Sequence, residues 1–292
     1  MLSLESIGLL LGFLGAFSQA TNYAMVKDCE EKYSLTGVRL LIADHLLLLI
    51  FVTPLFLIFK AHLYFNTATF LYVLGIITPY FIAQYLMNLT LKMSDASIVS
   101  PLMTIKIPIL AVISILFLGQ VFSLQQYCSI AVIIGLGWYF SSLSGKLGLK
   151  PLLLLALTCT MFCLSDIAMT KFTHSLPEEL TNLECIAIGI AYEHVATGII
   201  TIPAVKRYKV SFKDILNTKW VALTWMGTMI GIVSCFNMCG VVEGNIVQTL
   251  RSVIGVIIAY LFYRKYIRDE NKFRKKLGIA IGMFCAVVMF YI

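Results

Sequence analysis

Residues 107–145 read IPILAVISILFLGQVFSLQQYCSIAVIIGLGWYFSSLSG, 39 positions without an Asp, Glu, Lys or Arg. About 20 apolar residues cross the hydrocarbon core of a bilayer as a helix, so this stretch is long enough for two crossings. A second uncharged run, Ala61 to Leu91, lies just upstream. Across all 292 residues 60% are hydrophobic and only 13% are charged, against roughly 25% charged in a soluble domain. The medium that this chain faces is mostly lipid.

Outward from that run, apolar segments between polar breaks predict an all-α membrane protein of about ten transmembrane helices. They lie near 4–26, 35–59, 67–91, 96–118, 124–142, 150–171, 184–205, 219–240, 244–264 and 276–292. No basic residue precedes the first apolar run, so it reads as a retained helix and not as a signal peptide. The net charge is +7, but twelve of the 22 Lys and Arg residues fall in Lys206 to Lys219 and Arg264 to Lys276. Those loops flank membrane helices, where basic residues set topology, so no nucleic-acid partner is expected.

Cys128, Cys159, Cys163, Cys185, Cys235, Cys239 and Cys285 lie in or near apolar segments, which argues against a disulfide scaffold. Cys159/Cys163 and Cys235/Cys239 have a helical spacing that would suit a soft metal. Small buried cysteines are ordinary packing residues, however, and no metal or cofactor is expected.

The two halves of the chain match each other. Ala24-Met25-Val26-Lys27 ends the first helix and Ala168-Met169-Thr170-Lys171 the sixth. Asp44-His45 precedes Pro54 in the second helix and Glu193-His194 precedes Pro203 in the seventh, with nine residues from His to Pro in both. Ser97-Ile98-Val99 opens the fourth helix and Asn245-Ile246-Val247 the ninth, an offset of 148 beside the 149 of the acid-His pairs. Residues 1–145 and 146–292 therefore read as two five-helix repeats. Because five is odd, the second enters the bilayer from the opposite side, and such inverted repeats are a physical basis for alternating access.

The segment from Leu89 to Phe140 resembles the EamA-like branch of the drug/metabolite transporter superfamily. The residues that carry the resemblance are Ser94-Asp95-Ala96-Ser97, the helix with Pro101 and Pro108, the Leu118-Gly119 break, and Ser123-Leu124-Gln125 before a Gly-containing helix. Val38-Arg39-Leu40-Leu41 resembles the Arg-containing start of that family's second helix. The resemblance implies a ten-helix fold whose central cavity is lined largely by helices 1, 3, 4, 6, 8 and 9 together with parts of 2 and 7. It also implies a solute transporter of the bacterial inner (plasma) membrane, with membrane lipids as partners and a monomeric or homodimeric state. It does not choose a substrate. After Leu118-Gly119, where that family often has Glu, this chain has Gln120, so no proton-coupling carboxylate stands there. Charge bias and resemblance give opposite orientations. Loops after odd-numbered helices carry 17 Lys and Arg and the other face carries two, which puts both termini outside, whereas the family implies cytoplasmic termini.

Arg39, Asp44, Lys106, Asp166, Glu193 and Arg251 fall inside predicted helices, with His45 and His194 beside two of the acids. Each charge at a helix centre costs about 2.5–3.5 kcal/mol on insertion scales. These groups must therefore face one another, a wet cavity or a substrate. Gln248, Arg251, Ser252, Gly255 and Ala259 make a polar and small face on the ninth helix, and Ser97, Ser100, Thr104, Pro108 and Ala111 make its counterpart on the fourth, with Lys106 on a different face. Arg251 and Lys106 suit a carboxylate or phosphate. Asp166, with Asn22 at the matching point of the first helix, suits an amino group, so the substrate-binding candidates are Arg251, Lys106, Asp166, Asn22, Gln248 and Ser252. Asp44, His45, Glu193 and His194 are candidates for proton coupling, because a carboxylate beside an imidazole can exchange protons in the physiological range.

The expected function is secondary transport of a small polar metabolite, zwitterionic or anionic, amino-acid-like or nucleotide-related, with protons as a coupling partner. A flippase for a lipid or lipid-linked sugar and a multidrug exporter of organic cations are the alternatives. The chain lacks H-E-x-x-H, G-x-S-x-G and Walker-type patterns, so an enzyme is not expected.

Overall fold

The computed structural model describes residues 3–93, 102–143, 148–263 and 270–291. Ser94 to Ser97, Ser100, Pro101 and part of the second basic loop lie outside the described residues, as does the side chain of Ala259. The described chain is helical throughout. It comprises α1 (Leu4–Tyr33), α2 (Gly37–Ile58), α3 (Thr67–Met93), α4 (Lys106–Leu118), α5 (Leu124–Ser142), α6 (Leu149–His174), α7 (Asn182–Arg207), a short α8 (Phe212–Asn217), α9 (Lys219–Cys239), α10 (Val241–Gln248), α11 (Leu250–Tyr263) and α12 (Glu270–Tyr291). Six helices among the described residues are long and apolar enough to cross a membrane, so this is a multi-pass integral membrane protein. Its polarity is arranged for lipid: Leu10, Leu14 and Phe17 are exposed on α1, while Asp44, His45, Glu193 and His194 are buried.

Three elements differ from the sequence reading. The first helix runs seven residues further, to Tyr33. At about 1.5 Å per residue its 30 residues exceed the roughly 30 Å hydrocarbon core, and the surplus is the polar end that carries Asp28, Glu30, Glu31 and Lys32. The expected ninth helix, 244–264, is interrupted at Thr249, where α10 gives way to α11. Neither Gly nor Pro marks that break, and it is held by the Thr249 hydroxyl, which donates to the Ile246 carbonyl at 2.7 Å. The start of the described fourth segment is a 3-10 turn, Met103–Ile105, leading into α4. The family-like punctuation does appear: Gly119 ends α4 with φ +66°, and Ser123 starts α5 with a capping box to Gln126.

Two compact units make up the chain, Met1–Thr78 with Ser165–Val241, and Pro79–Leu164 with Val242–Ile292. Each takes segments from both sequence halves. In the first unit α1 packs along α9, and α2 along α7. The α1–α9 crossing is close enough that a Cβ added at Gly231 would lie 2.5 Å from the Gly15 Cα and from the Leu11 carbonyl oxygen, the small-residue contact typical of membrane helices. Polar bonds fasten the same crossing. Ser18 donates to the Thr224 carbonyl at 2.8 Å, and the Asn22 amide donates to the Val221 carbonyl at 2.8 Å and the Thr224 hydroxyl at 3.0 Å.

Segments that match in sequence also match in geometry within this unit. α2 and α7 each contain a proline, Pro54 and Pro203, and each ends on an aromatic cap, Phe59 and Tyr208. Each is then turned by a lysine in the left-handed region, Lys60 at φ +48° and Lys209 at φ +52°. All three pairs are 149 residues apart. Likewise the Ser165 hydroxyl donates to the Ile76 carbonyl of α3 at 2.9 Å, as Ser18 of α1 does to Thr224 of α9. The hydroxyls are 147 apart and the carbonyls 148. This correspondence lies about one turn from the 144 given by the Ala-Met-x-Lys match, and it sets Ser18, not Asn22, in register with the α6 residues near Asp166. In the second unit α5 packs against α12, and α11 against α12.

Candidate functional site

Each unit holds interior ionisable groups. Among the described residues, those of the first unit are Asp44 and His45 on α2, Glu193 and His194 on α7, and the half-buried Asp166 on α6. Those of the second include Lys106 and Arg251, 6% and 8% exposed, and the half-buried Glu243 on α10, whose Oε2 is buried. Arg39 does not belong to this interior set, contrary to the sequence expectation. It sits in the first turn of α2 with a half-exposed side chain, and its guanidinium donates to Asp214 Oδ2 at 2.7 Å. Asp214 also accepts from the Ser211 backbone N–H at 2.8 Å as the capping residue of α8. Burial raises the Asp214 carboxyl, but the Ser211 N–H and hydroxyl and the Arg39 guanidinium outweigh it, and together they hold the group below the usual carboxylate range.

A polar pocket in the second unit is lined by Met103, Thr104, Lys106 and Ile107 from one segment and Asn245, Gln248, Thr249, Arg251 and Ser252 from another. The space that these residues enclose is about 10 Å³, the scale of one water molecule. The two breaks described above explain how the residues meet. Lys106 is the first residue of α4, after the 3-10 turn, so it shares the pocket with Thr104 instead of facing away along a continuous helix. Arg251 and Ser252 are in the first turn of α11, after the interruption at Thr249. Each cation thus lies at a break within a helical segment, where the Lys106 N–H donates to the preceding 3-10 turn and the Ser252 N–H to the Thr249 carbonyl. α6 fixes Lys106 further, since its ammonium lies 5.7 Å from the Phe162 ring centroid and Cys163 Sγ donates to its carbonyl at 3.5 Å.

Of the sequence candidates, Lys106, Arg251, Gln248 and Ser252 come together at this pocket. Asp166 and Asn22 belong to the first unit, and Asn22 is engaged in the α1–α9 bonds. Asn245 was missed, although it lies three residues before Gln248 on the same helical face. Thr249 and Met103 carried no signal, because they reach the pocket through breaks that the sequence does not punctuate.

In the first unit α2 and α7 bring the two acid-His pairs onto one packed interface. His45 and His194 lie within electrostatic range of each other, as do Glu193 and Asp166. His45 Nδ1 is 3.0 Å from the Leu41 carbonyl. Asp44 Oδ1 and both ring nitrogens of His194 are buried, with no hydrogen-bond partner among the described residues. The cysteine pairs considered for a metal make packing contacts: Cys159 Sγ lies 4.0 Å from Met103 Sδ, and Cys239 Sγ lies 3.4 Å from the Glu5 carbonyl. Among the described residues no three His, Cys, Asp or Glu side chains are grouped to hold a metal ion.

Residues 6–143 match the model of the EamA-like transporter family. No curated protein matches the chain. The chain is similar to a protein of known crystal structure, at 13% identity over 96% of this chain and 96% of that one, with a TM-score of 0.65. At that identity the likeness is one of fold.

Proposed function

We propose that this protein, whose residues 6–143 match the EamA-like transporter family, is a member of the drug/metabolite transporter superfamily and moves a small polar metabolite bearing a negative group across a membrane by alternating access. Members of that family are transporters and not enzymes. The observation that carries the substrate reading is the convergence of Lys106 and Arg251 on one polar pocket. Two buried cations repel organic cations, and a lining of amides and hydroxyls suits a soluble solute better than a lipid tail.

The architecture that we propose is ten spans in two inverted repeats, 1–145 and 146–292. It is supported by the paired prolines, caps and left-handed lysines 149 residues apart, and by the equivalent serine bonds of α1 and α6. Elements related by that offset meet inside one unit, α2 with α7 and α5 with α12. Exchange between two such packings opens a site to one side and then the other. We place the protein in the bacterial inner (plasma) membrane, as a monomer or homodimer.

The acid-His interface of α2 and α7 is the proposed proton site. Asp44, Glu193, His45, His194 and Asp166 are ionisable groups of one interior, and a proton bound there offsets the charge of an anion carried elsewhere. The test is uptake into reconstituted vesicles. Arg251→Gln lowers uptake of anionic and zwitterionic solutes at least about tenfold, the loss of a charge-assisted bond. Glu193→Gln abolishes uptake driven by a pH gradient and spares exchange without one. Undiminished pH-driven uptake in Glu193→Gln removes the proton role.

A further inference from the structure

We propose that the connector between α7 and α9, residues 206–220, is a docking surface for the headgroups of anionic phospholipids in the leaflet that it borders. The inference concerns a face outside the substrate pocket and holds whichever solute is carried.

Charge is concentrated on this connector. Between Glu193 and Glu243 the sequence has five cations, Lys206, Arg207, Lys209, Lys213 and Lys219, and one acid, Asp214. All five cations are exposed, whereas Asp214 is buried and its carboxylate is taken by Arg39 and the Ser211 N–H. The outward surface is therefore cationic without a compensating acid of its own, and basic clusters beside a membrane span attract anionic lipid. The acid-bearing end of α1 meets the connector at the C-terminal end of α8, where Cys29 Sγ lies 3.8 Å from the Asn217 carbonyl. Asp28 of that end is paired with Lys32 at 2.8 Å. The cations before that point, Lys206 to Lys213, are the ones on which the proposal chiefly rests.

The connector also presents apolar groups at the level of the membrane surface. It joins the ends of two apolar spans, Asn182–Arg207 and Lys219–Cys239. Its inner side is fixed, since Val210 packs with Ile42 and Ala43 of α2 and Ile215 packs against the same cluster. The side left uncovered carries Phe212, Leu216 and Trp220 at i, i+4 and i+8, 70%, 48% and 56% exposed. Aromatic rings in such positions enter the headgroup layer, and lysine stems lie along apolar surface while their ammonium groups stay in the polar zone. Lys219 Nζ lies 5.8 Å from the Trp220 ring centroid, and Arg207 Cζ lies 5.9 Å from that of Tyr208, so cations and rings share one level. A soluble anion would use the cations and leave Phe212, Leu216 and Trp220 in water. A zwitterionic lipid would cover the rings and leave the charge unmatched. An anionic phospholipid meets both.

The test uses the full-length protein with Trp138→Phe and Trp225→Phe, which leaves Trp220 as its one tryptophan, in phosphatidylcholine nanodiscs. Brominated phosphatidylglycerol or brominated phosphatidylcholine is added as a contact quencher of Trp220 fluorescence. The mole fraction that half-quenches Trp220 is at least about fivefold lower for the phosphatidylglycerol. Lys209→Gln combined with Lys213→Gln brings the two lipids level to within about twofold, and so does about 1 M sodium chloride, where the screening length is about 3 Å. The salt measurement decides if the lysine variant does not fold. Lys60→Gln, at the opposite end of α2 from Arg39 and Asp214, leaves the preference intact. Equal quenching by the two lipids overturns the proposal, as does a preference that survives both the lysine variant and salt, or one that Lys60→Gln removes equally. Loss of the preference to millimolar inorganic phosphate at constant ionic strength overturns it in favour of a soluble anion.

Discussion

Asp214 sits in a six-residue helix between two membrane spans, and its chemistry is that of a soluble protein. The Ser211 N–H and Arg39 hold it ionised. Its folded value therefore lies below the unfolded one of about 3.9. Its contribution is complete above the unfolded value and is lost as pH falls through the folded one. Arg39 is half-exposed, so solvent screening limits the ion pair to about 1 kcal/mol or less. Asp214→Asn accordingly lowers the melting temperature slightly at neutral pH, and its stability falls less steeply than the wild type's below about pH 4. Parallel acid limbs would contradict this assignment. The pair also shows what single residues concealed in the sequence. Arg39 lies four residues past the start of the apolar segment near 35–59 and reads as intramembrane, but its partner is 175 positions away in a loop, and no local pattern predicts that. Asp44-His45 and Glu193-His194 were legible because the same rare pair recurs at the same distance from a proline.

At the scale of elements, helix existence was legible and helix continuity was not. Every predicted segment contains helix, since a lipid-facing backbone has to satisfy its own hydrogen bonds. The break at Thr249 and the 3-10 turn at Met103–Ile105 depend on local bonding that Thr and Ile do not announce, and those irregularities build the pocket. The α1–α9 crossing was equally hidden, because glycine in a membrane helix does not say which helix it meets. It yields a sharp prediction. Gly231→Ala drives a methyl into the backbone of α1 at Gly15 and Leu11, so the helices must separate, at a cost of about 1–3 kcal/mol as in other overpacked contacts. Gly255→Ala, with open space around its Cβ, leaves the melting temperature unchanged within error. Equal melting of the two variants would show that the crossing is looser than described.

The whole molecule joins segments from both halves of the sequence into each compact unit. The six charged residues inside predicted helices, three cations and three anions, make a neutral set that invited mutual pairing. Which of them share a unit was not legible, because residues 44, 166 and 193 are brought into the first unit, and 106 and 251 into the second, by contacts far apart in the chain. The central claim is that the cationic pocket is exposed alternately to the two sides of the membrane. It is tested most directly by placing one cysteine at Ser252, in a background lacking the eight native cysteines, and reconstituting the protein in one orientation. A membrane-impermeant thiol reagent is then applied to each face in turn. Alternating access predicts labelling from both faces, with a saturating transported solute protecting against both. Labelling from one face only, with the other face silent in the presence and absence of ligand, would contradict it.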